Sequence, residues 1–207
     1  MQFFLIMFFV YFVATAYWIH LMRKHSDNKV SIHYYFGTLI FCTMVECAIT
    51  FAEYDVYNQT GKRMLPLTIF SVLFSAFRAT LARLICLLIS LGYGIVMNVL
   101  NRYRSKVFLL TFLYFIAASI NRAAFYINQH KPLSKSVKIM LYVPQGLLEV
   151  VFLVWTISAL IRTLSYLKMK RQEYKLAVMK LFSIIFTIGV SVYVLIRVAK
   201  LLFEIFN

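Results

Sequence analysis

The sequence predicts an all-α polytopic membrane protein, and two observations indicate it. Of the 207 residues, 62% are hydrophobic and 14% are charged, whereas soluble domains are about 45–50% apolar and about 25% charged. Apolar runs of at least about 18 residues, each long enough to cross a bilayer core as a helix, recur with short polar connectors between them. We therefore expect a single transmembrane domain over residues 1–207.

Six spans are predicted in order. The first has no basic residue before its apolar run and ends at Arg23 and Lys24, so it is a retained span and not a cleaved signal peptide. The third begins at Pro66, a position where helices tolerate proline. The third, fifth and sixth exceed the roughly 20 residues that a bilayer requires, so we expect them to tilt or project. The predicted spans are about residues 3–22, 34–53, 65–100, 107–127, 137–167 and 176–206.

The net charge of +15 indicates topology and not nucleic-acid binding, because the basic residues are concentrated in short connectors between apolar spans. If the N-terminus is on the outer side, the cytosolic connectors hold twelve basic residues and the outer connectors five. Cytosolic loops are enriched in Lys and Arg, so we predict a lumenal N-terminus. Membrane lipids are the expected partners, and nucleic acid is not.

Charged residues inside the spans are the candidate functional residues, because charges in a bilayer are costly and normally face protein or water. From a rise of about 1.5 Å per residue, acids and bases occupy similar depths, mostly in the lumenal half. They either pair and fix the helices, or line a lumen-facing polar cavity. Four bases against three acids favour an anionic ligand. The candidates are Glu46, Glu53, Arg78, Arg83, Arg122, Glu149 and Arg197.

The third span is predicted to be the central helix. At about 100° per residue, small side chains form one stripe, flanked by Arg78 and Arg83, and small residues allow close helix packing in membranes. Bulky side chains cover another face, which we expect to meet lipid; these are Phe70, Phe74, Phe77, Leu81, Leu84 and Leu88. The predicted packing positions are Ser71, Ser75, Ala79, Ala82, Cys86 and Ser90, with Gly92 and Gly94 beyond them.

No catalytic or metal-binding constellation is predicted. Cys42, Cys47 and Cys86 lie inside spans, where cysteine behaves as a small hydrophobic residue. The histidines lack ligand spacing, and no nucleophile stands with a base. We therefore expect no enzyme activity, no metal and no cofactor. Asn58-Gln59-Thr60 is a candidate glycosylation sequon, placed so close to the second span that an unmodified loop asparagine is the better interpretation.

The third span also carries a resemblance to a known family. The run Leu81–Val96, preceded by Arg78, resembles the third span of the Golgi-dynamics-domain seven-transmembrane (GOST) proteins, and within them the transmembrane-protein-87-like branch. The most specific part is Ser90-Leu-Gly-Tyr-Gly-Ile-Val96. Further matches are Phe51-Ala-Glu-Tyr54, Val143-Pro144, Glu149 and Trp155.

The resemblance implies a six-helix part of a seven-transmembrane bundle in the Golgi or post-Golgi (endosomal) membrane, with a cavity among its helices. It also implies a lumenal β-sandwich domain before the spans. The sequence starts at its first span and stops within its sixth, so we expect a fragment that lacks that domain and the last span. Residues Met97–Asn101 replace the basic-proline turn that the family usually has.

Three functions follow from these expectations. The first is membrane trafficking or cargo handling, with the cavity holding a lipid or a lipid-bearing or membrane protein cargo. The alternative is ion conduction or its regulation through the same charges. A signalling receptor is the weakest of the three, because Asn101-Arg102-Tyr103 lacks the acid of the rhodopsin-like switch.

Overall fold

The computed structural model describes residues 2–24, 31–62, 64–93, 104–130 and 134–206. Within these ranges it contains six helices, each long and apolar enough to span a membrane, which confirms the predicted fold class. The helices are α1 (Gln2–Lys24), α2 (Ser31–Thr60), α3 (Leu65–Ser90), α4 (Arg104–His130), α5 (Lys135–Met169) and α6 (Glu173–Phe206).

The chain divides into two compact units, Met1–Thr156 and Ile157–Asn207. The first holds α1 to α4 and most of α5. In it, α1 packs against α2, α2 against α3, and α3 against α4. The second holds the end of α5 and α6, joined by a tight turn. The candidate charges whose side chains are described all lie in the first unit.

Helix α3 begins as its sequence requires and ends earlier than predicted. Met64 is extended, and Pro66 lies in the first turn, where its missing N–H removes no helical hydrogen bond. The helix ends at Ser90 because Gly92 has a φ of 74°, a left-handed conformation that terminates helices. The expectation of one unbroken helix past Ser90 was therefore wrong, and residues 94–100 of the predicted span lie outside the described residues.

The termination of α3 is closed by backbone hydrogen bonds. The Gly92 N–H donates to the Ile89 carbonyl at 2.8 Å, and the Tyr93 N–H donates to the Leu88 carbonyl at 3.0 Å. Such bonds satisfy carbonyls that a helix end leaves open. Gly94, predicted as a packing position, lies outside the described residues, as does the rest of the Ser90–Val96 motif after Tyr93.

Burial makes α3 the central helix of the first unit. Ten of its residues are buried, whereas α1 buries none of its residues. The bulky face of α3 is exposed at Phe70 and Phe77, but Leu88 is buried and Leu84 packs against the core. The expectation that this whole face meets lipid was therefore wrong in its second half, because α4 and α5 supply core residues there.

The core of the first unit lies between α3, α4 and α5. Partly buried apolar side chains of the same three helices, including Leu148 and Trp155, pack against it. Much of the cluster lies beyond Arg83 in the direction of the α3 C-terminus, and Leu87 is fully buried there. The core residues are Ala76, Leu87, Val107, Tyr114, Ala118 and Phe152.

Helix α2 is longer than predicted and approaches α1 closely. It continues to Thr60, so Asn58 lies in its last turns, and the interpretation of Asn58 as a loop residue was wrong. Near its start, a Cβ added to Gly37 would lie 2.9 Å from the Trp18 Nε1 atom. The same Nε1 donates a hydrogen bond of 3.3 Å to the His33 carbonyl. Glycine is thus required by the close approach of the indole.

Substituting Gly37 tests this contact. Gly37→Leu forces the Trp18 indole to move and should destabilise the protein by about 1–3 kcal/mol, as overpacking usually does. Gly189→Leu is the matched control, because nothing lies within 4 Å of a Cβ added at that helical position. Thermal unfolding in detergent measures both. Equal melting temperatures for the two variants would contradict the assigned contact.

Candidate functional site

Polar side chains form three successive levels along α3. The first level surrounds Thr68, the second Ser75 and Arg78, and the third Arg83. Thr68 and Arg83 are separated by roughly 22 Å at 1.5 Å per helical residue. We call Glu46, Arg78, Arg83, Arg122 and Glu149 the charged cluster; it occupies the second and third levels.

The third level is an ion pair completed by neutral donors. Arg83 Nη2 lies 2.8 Å from Glu149 Oε1, and the same oxygen accepts hydrogen bonds from the Tyr114 hydroxyl at 3.2 Å and Gln145 Nε2 at 3.0 Å. Gln145 Nε2 also lies 3.3 Å from the Tyr114 hydroxyl oxygen. One carboxylate oxygen therefore joins α3, α4 and α5.

The face of the Tyr114 ring also contacts the guanidinium of Arg83. The Arg83 Cζ lies 4.8 Å from the centroid of the Tyr114 ring, within the range of a cation–π interaction. Tyr114 is fully buried, and it packs edge-on against Phe152 at a centroid distance of 5.5 Å. The aromatic residue thus connects the charges to the apolar core.

The second level contains another ion pair, between Arg78 Nε and the Glu46 carboxylate. The Arg78 side chain is 33% exposed and the Glu46 side chain 17%, so the pair borders open space. That space is a groove of about 210 Å³ between α1, α2 and α3. Its lining residues are Phe3, Phe4, Met7, Tyr11, Thr43, Glu46, Cys47, Thr50 and Arg78.

Arg122 differs from the other two arginines of the charged cluster. Its Nε donates to the Ser75 hydroxyl at 2.9 Å, and no carboxylate within the described ranges forms an ion pair with it. It remains within electrostatic reach of Arg78, Arg83 and Glu149. The second and third levels hold three arginines and two glutamates, and Glu53 at the first level makes the described charges of the three levels equal in number.

The first level is organised by Glu53, which is 4% exposed. The Thr68 hydroxyl donates to Glu53 Oε1 at 3.0 Å, and the Tyr126 hydroxyl donates to Glu53 Oε2 at 3.1 Å. Glu53 therefore connects α2 to α3 and α4. A buried carboxylate without such donors would lose the hydration that stabilises its charge.

Two further predicted residues are Arg197 and Asn58. Arg197 belongs to α6, but its side chain is outside the described part of the structure. Asn58 is exposed and borders an open pocket of about 560 Å³ with Gln2, Phe3, Tyr54 and Tyr57. Neither residue contributes to the charged cluster as described.

The small-residue stripe of α3 has mixed surroundings. Ser71, Ala79 and Ser90 are buried, and the Ser90 hydroxyl donates to the Cys86 carbonyl at 2.8 Å. Ser75 uses its hydroxyl to contact Arg122. Ala82 and Cys86 are partly buried, and Gly92 is buried at the helix end.

Sequence reasoning missed the neutral members of the network, which are Thr68, Tyr114, Tyr126 and Gln145. Gln145 gave a usable signal, because a primary amide inside an apolar span needs hydrogen-bond partners. The tyrosines gave a weaker one, since tyrosine is also common at membrane interfaces.

The comparison with known families decides the classification. The model of the family described as "GOST, seven transmembrane domain" matches residues 1–207. The chain belongs to the GOST family. The resemblance predicted from the third span is thereby confirmed, and the chain is a multi-pass integral membrane protein of this family.

Curated proteins similar to this chain include members of the transmembrane-protein-87 branch of the family. Transmembrane protein 87B of Mus musculus is 28% identical over 202 residues, covering 97% of this chain and 36% of that protein. Transmembrane protein 87A of Xenopus tropicalis is 27% identical over 198 residues, covering 95% and 36%. Membrane protein PTM1 of Saccharomyces cerevisiae (strain YJM789) is 27% identical over 176 residues, covering 82% and 33%. The chain spans about a third of the length of these relatives.

A double-mutant cycle tests the ion pair at the third level. Arg83→Met leaves Glu149 without its cation, and Glu149→Gln leaves Arg83 without its anion, so each should lower the free energy of unfolding by about 2–3 kcal/mol. The double variant has no charge at either position, so its loss of unfolding free energy should be at least about 1 kcal/mol smaller than the sum of the two single losses. Equilibrium unfolding in bicelles measures the coupling. Strictly additive losses would contradict a direct interaction.

Proposed function

We propose that the chain is the membrane part of a non-enzymatic Golgi or post-Golgi protein that acts in membrane trafficking or cargo handling. Its cavity among the helices holds the anionic headgroup of a lipid, or of a lipid-bearing cargo. The family resemblance supports the Golgi or post-Golgi location, and the excess of basic residues in the cytosolic connectors supports a lumenal N-terminus. The location is tested by whether a tagged full-length protein coincides with a Golgi marker.

Arg122 is the observation that carries the ligand assignment. Arg78 and Arg83 have carboxylate partners, whereas the guanidinium of Arg122 contacts a serine hydroxyl. A cation in a low-dielectric interior attracts an anion far more strongly than in water. A guanidinium also presents paired N–H donors that match a phosphate or carboxylate group. The second and third levels hold three arginines against two glutamates, and this positive charge would attract an anionic ligand.

The surroundings support binding over ion conduction, which the sequence left as the alternative. An ion pathway needs polar groups on both sides of its narrowest point. On the α3 C-terminal side of Arg83, the described space is filled by core residues such as Leu87, Val107 and Phe152. Among the described residues, the three levels that contain a charged side chain lie at Arg83 and toward the α3 N-terminus, which suits a cavity closed at one end.

The lipid complement of the purified protein tests this proposal. Arg122→Gln removes a cation that forms no ion pair with the described residues, so co-purified anionic lipid per protein should fall at least several-fold. Arg23→Gln is the matched control, because Arg23 is an exposed residue of the last turn of α1. Mass spectrometry of the detergent-solubilised protein measures the ratio.

Two results would contradict the proposal. One is an unchanged anionic lipid content in the folded Arg122→Gln variant, which would exclude a headgroup site at Arg122. The other is a single-channel conductance of the reconstituted chain that changes on Glu149→Gln, which would favour the ion-conducting alternative. Gel filtration and thermal unfolding of each variant establish that it is folded.

A further inference from the structure

The connector between α5 and α6 is a tight turn with a fixed backbone. The Lys170 N–H donates to the Tyr166 carbonyl at 3.0 Å, and the Gln172 N–H lies 3.3 Å from the Leu167 carbonyl oxygen. Helix α5 ends at Met169 and α6 begins at Glu173. We call the end of α5, the three residues of the turn and the start of α6 the basic hairpin (residues 162–180).

The basic hairpin concentrates positive charge on exposed positions. Six of its side chains are basic, and Glu173 is its only acidic residue. All six basic residues are exposed. They are Arg162, Lys168, Lys170, Arg171, Lys175 and Lys180.

These residues fall at two levels along the hairpin. Arg162 precedes the end of α5 by seven residues, and Lys180 follows the start of α6 by seven residues. Seven helical residues correspond to roughly 10 Å. The other four basic residues lie at the tip. Arg162 and Lys180 are therefore each about 10 Å from the tip along their own helices. We call these two residues the inner level and the tip residues the outer level.

Large apolar side chains lie beside the outer level. Met169 is 79% exposed and Tyr174 is 84% exposed. Met169 directly precedes the three-residue turn, and Tyr174 is the second residue after it. The turn joins two helices that are each long and apolar enough to span a membrane, so it connects the ends of two candidate spans. Exposed aromatic and thioether groups among cations are typical of surfaces that meet lipid headgroups. An acidic soluble partner would not require these apolar groups at the ends of two spans.

Arg171 adds an independent observation at the tip. Its φ is 51°, a left-handed conformation that costs a residue with a Cβ roughly 1 kcal/mol relative to glycine. Helix C-termini commonly have glycine at such a position. The chain has instead a cation there, with its side chain exposed at the outer level.

We propose that the basic hairpin binds a polyanionic lipid headgroup, that of a phosphorylated phosphatidylinositol, in preference to monoanionic lipids. A phosphoinositide has a phosphodiester near the glycerol and phosphomonoesters farther out on the inositol ring. One molecule can therefore contact the inner and outer levels together. A monoanionic lipid such as phosphatidylserine contacts only the inner level. The anionic headgroups neutralise the basic side chains, and Met169 and Tyr174 lie against the lipid surface.

Titration of the purified full chain in detergent with fluorescent dioctanoyl phosphatidylinositol bisphosphate tests the proposal. The outer-level variant Lys168→Gln, Lys170→Gln, Arg171→Gln and Lys175→Gln should bind at least tenfold more weakly, since each surface cation contributes appreciably to headgroup attraction. The matched control neutralises four exposed basic residues elsewhere, Arg23, Lys24, Lys62 and Lys106, and should bind within about twofold of the unaltered protein.

Three results would overturn the proposal. The first is unchanged affinity of the outer-level variant for the bisphosphate, which would favour an acidic protein as the partner of the basic hairpin. The second is an equal loss in the control variant, which would indicate a general charge effect. The third is binding of dioctanoyl phosphatidylserine as tightly as the bisphosphate, which would show that the outer level does not contribute to headgroup selectivity.

Arg171→Gly separates binding from folding. Glycine relieves the left-handed strain, so the melting temperature should rise, while loss of the cation should weaken bisphosphate binding about three- to fivefold. A purely structural arginine would give a changed melting temperature with unchanged affinity, and that outcome would contradict a binding role for Arg171.

Discussion

The pairing of Arg83 with Glu149 is the interaction on which the first unit depends. An arginine at the centre of a membrane helix costs about 2.5–3.5 kcal/mol even by translocon-based scales. Here the guanidinium has a carboxylate at 2.8 Å and an aromatic face at 4.8 Å. Because the carboxylate belongs to α5 and the ring to α4, the requirement to satisfy one cation sets the positions of three helices.

The remaining charges show why the same region suits binding. Arg78 satisfies its charge with Glu46 across α2 and α3, and Glu53 satisfies its own with hydroxyl donors from α3 and α4. Arg122 has a serine hydroxyl as its described partner. Structural pairing and the proposed ligand site are therefore compatible, because the ion pairs connect the helices and the guanidinium of Arg122 contacts a neutral hydroxyl.

The helices were predictable from the sequence, whereas the partners of the charges were not. Apolar run lengths alone define six helices, because a bilayer permits few alternatives. The end of α3 at Ser90 was missed because it depends on the backbone conformation of Gly92. Depth along the helix limits which acids can reach Arg83. The acid that pairs with it also depends on how each helix is rotated about its own axis, which the sequence does not give. For the same reason Tyr114 and Gln145 could not be assigned to Glu149 in advance.

A cryo-electron-microscopy map of the protein in lipid nanodiscs would test the central claim most directly, namely that Arg122, which forms no ion pair with the described residues, binds an anionic headgroup. The account predicts non-protein density with headgroup shape within hydrogen-bond distance of the Arg122 guanidinium, while Arg83 remains paired with Glu149. An Arg122 guanidinium paired with a protein carboxylate, with no such density beside it, would contradict the account.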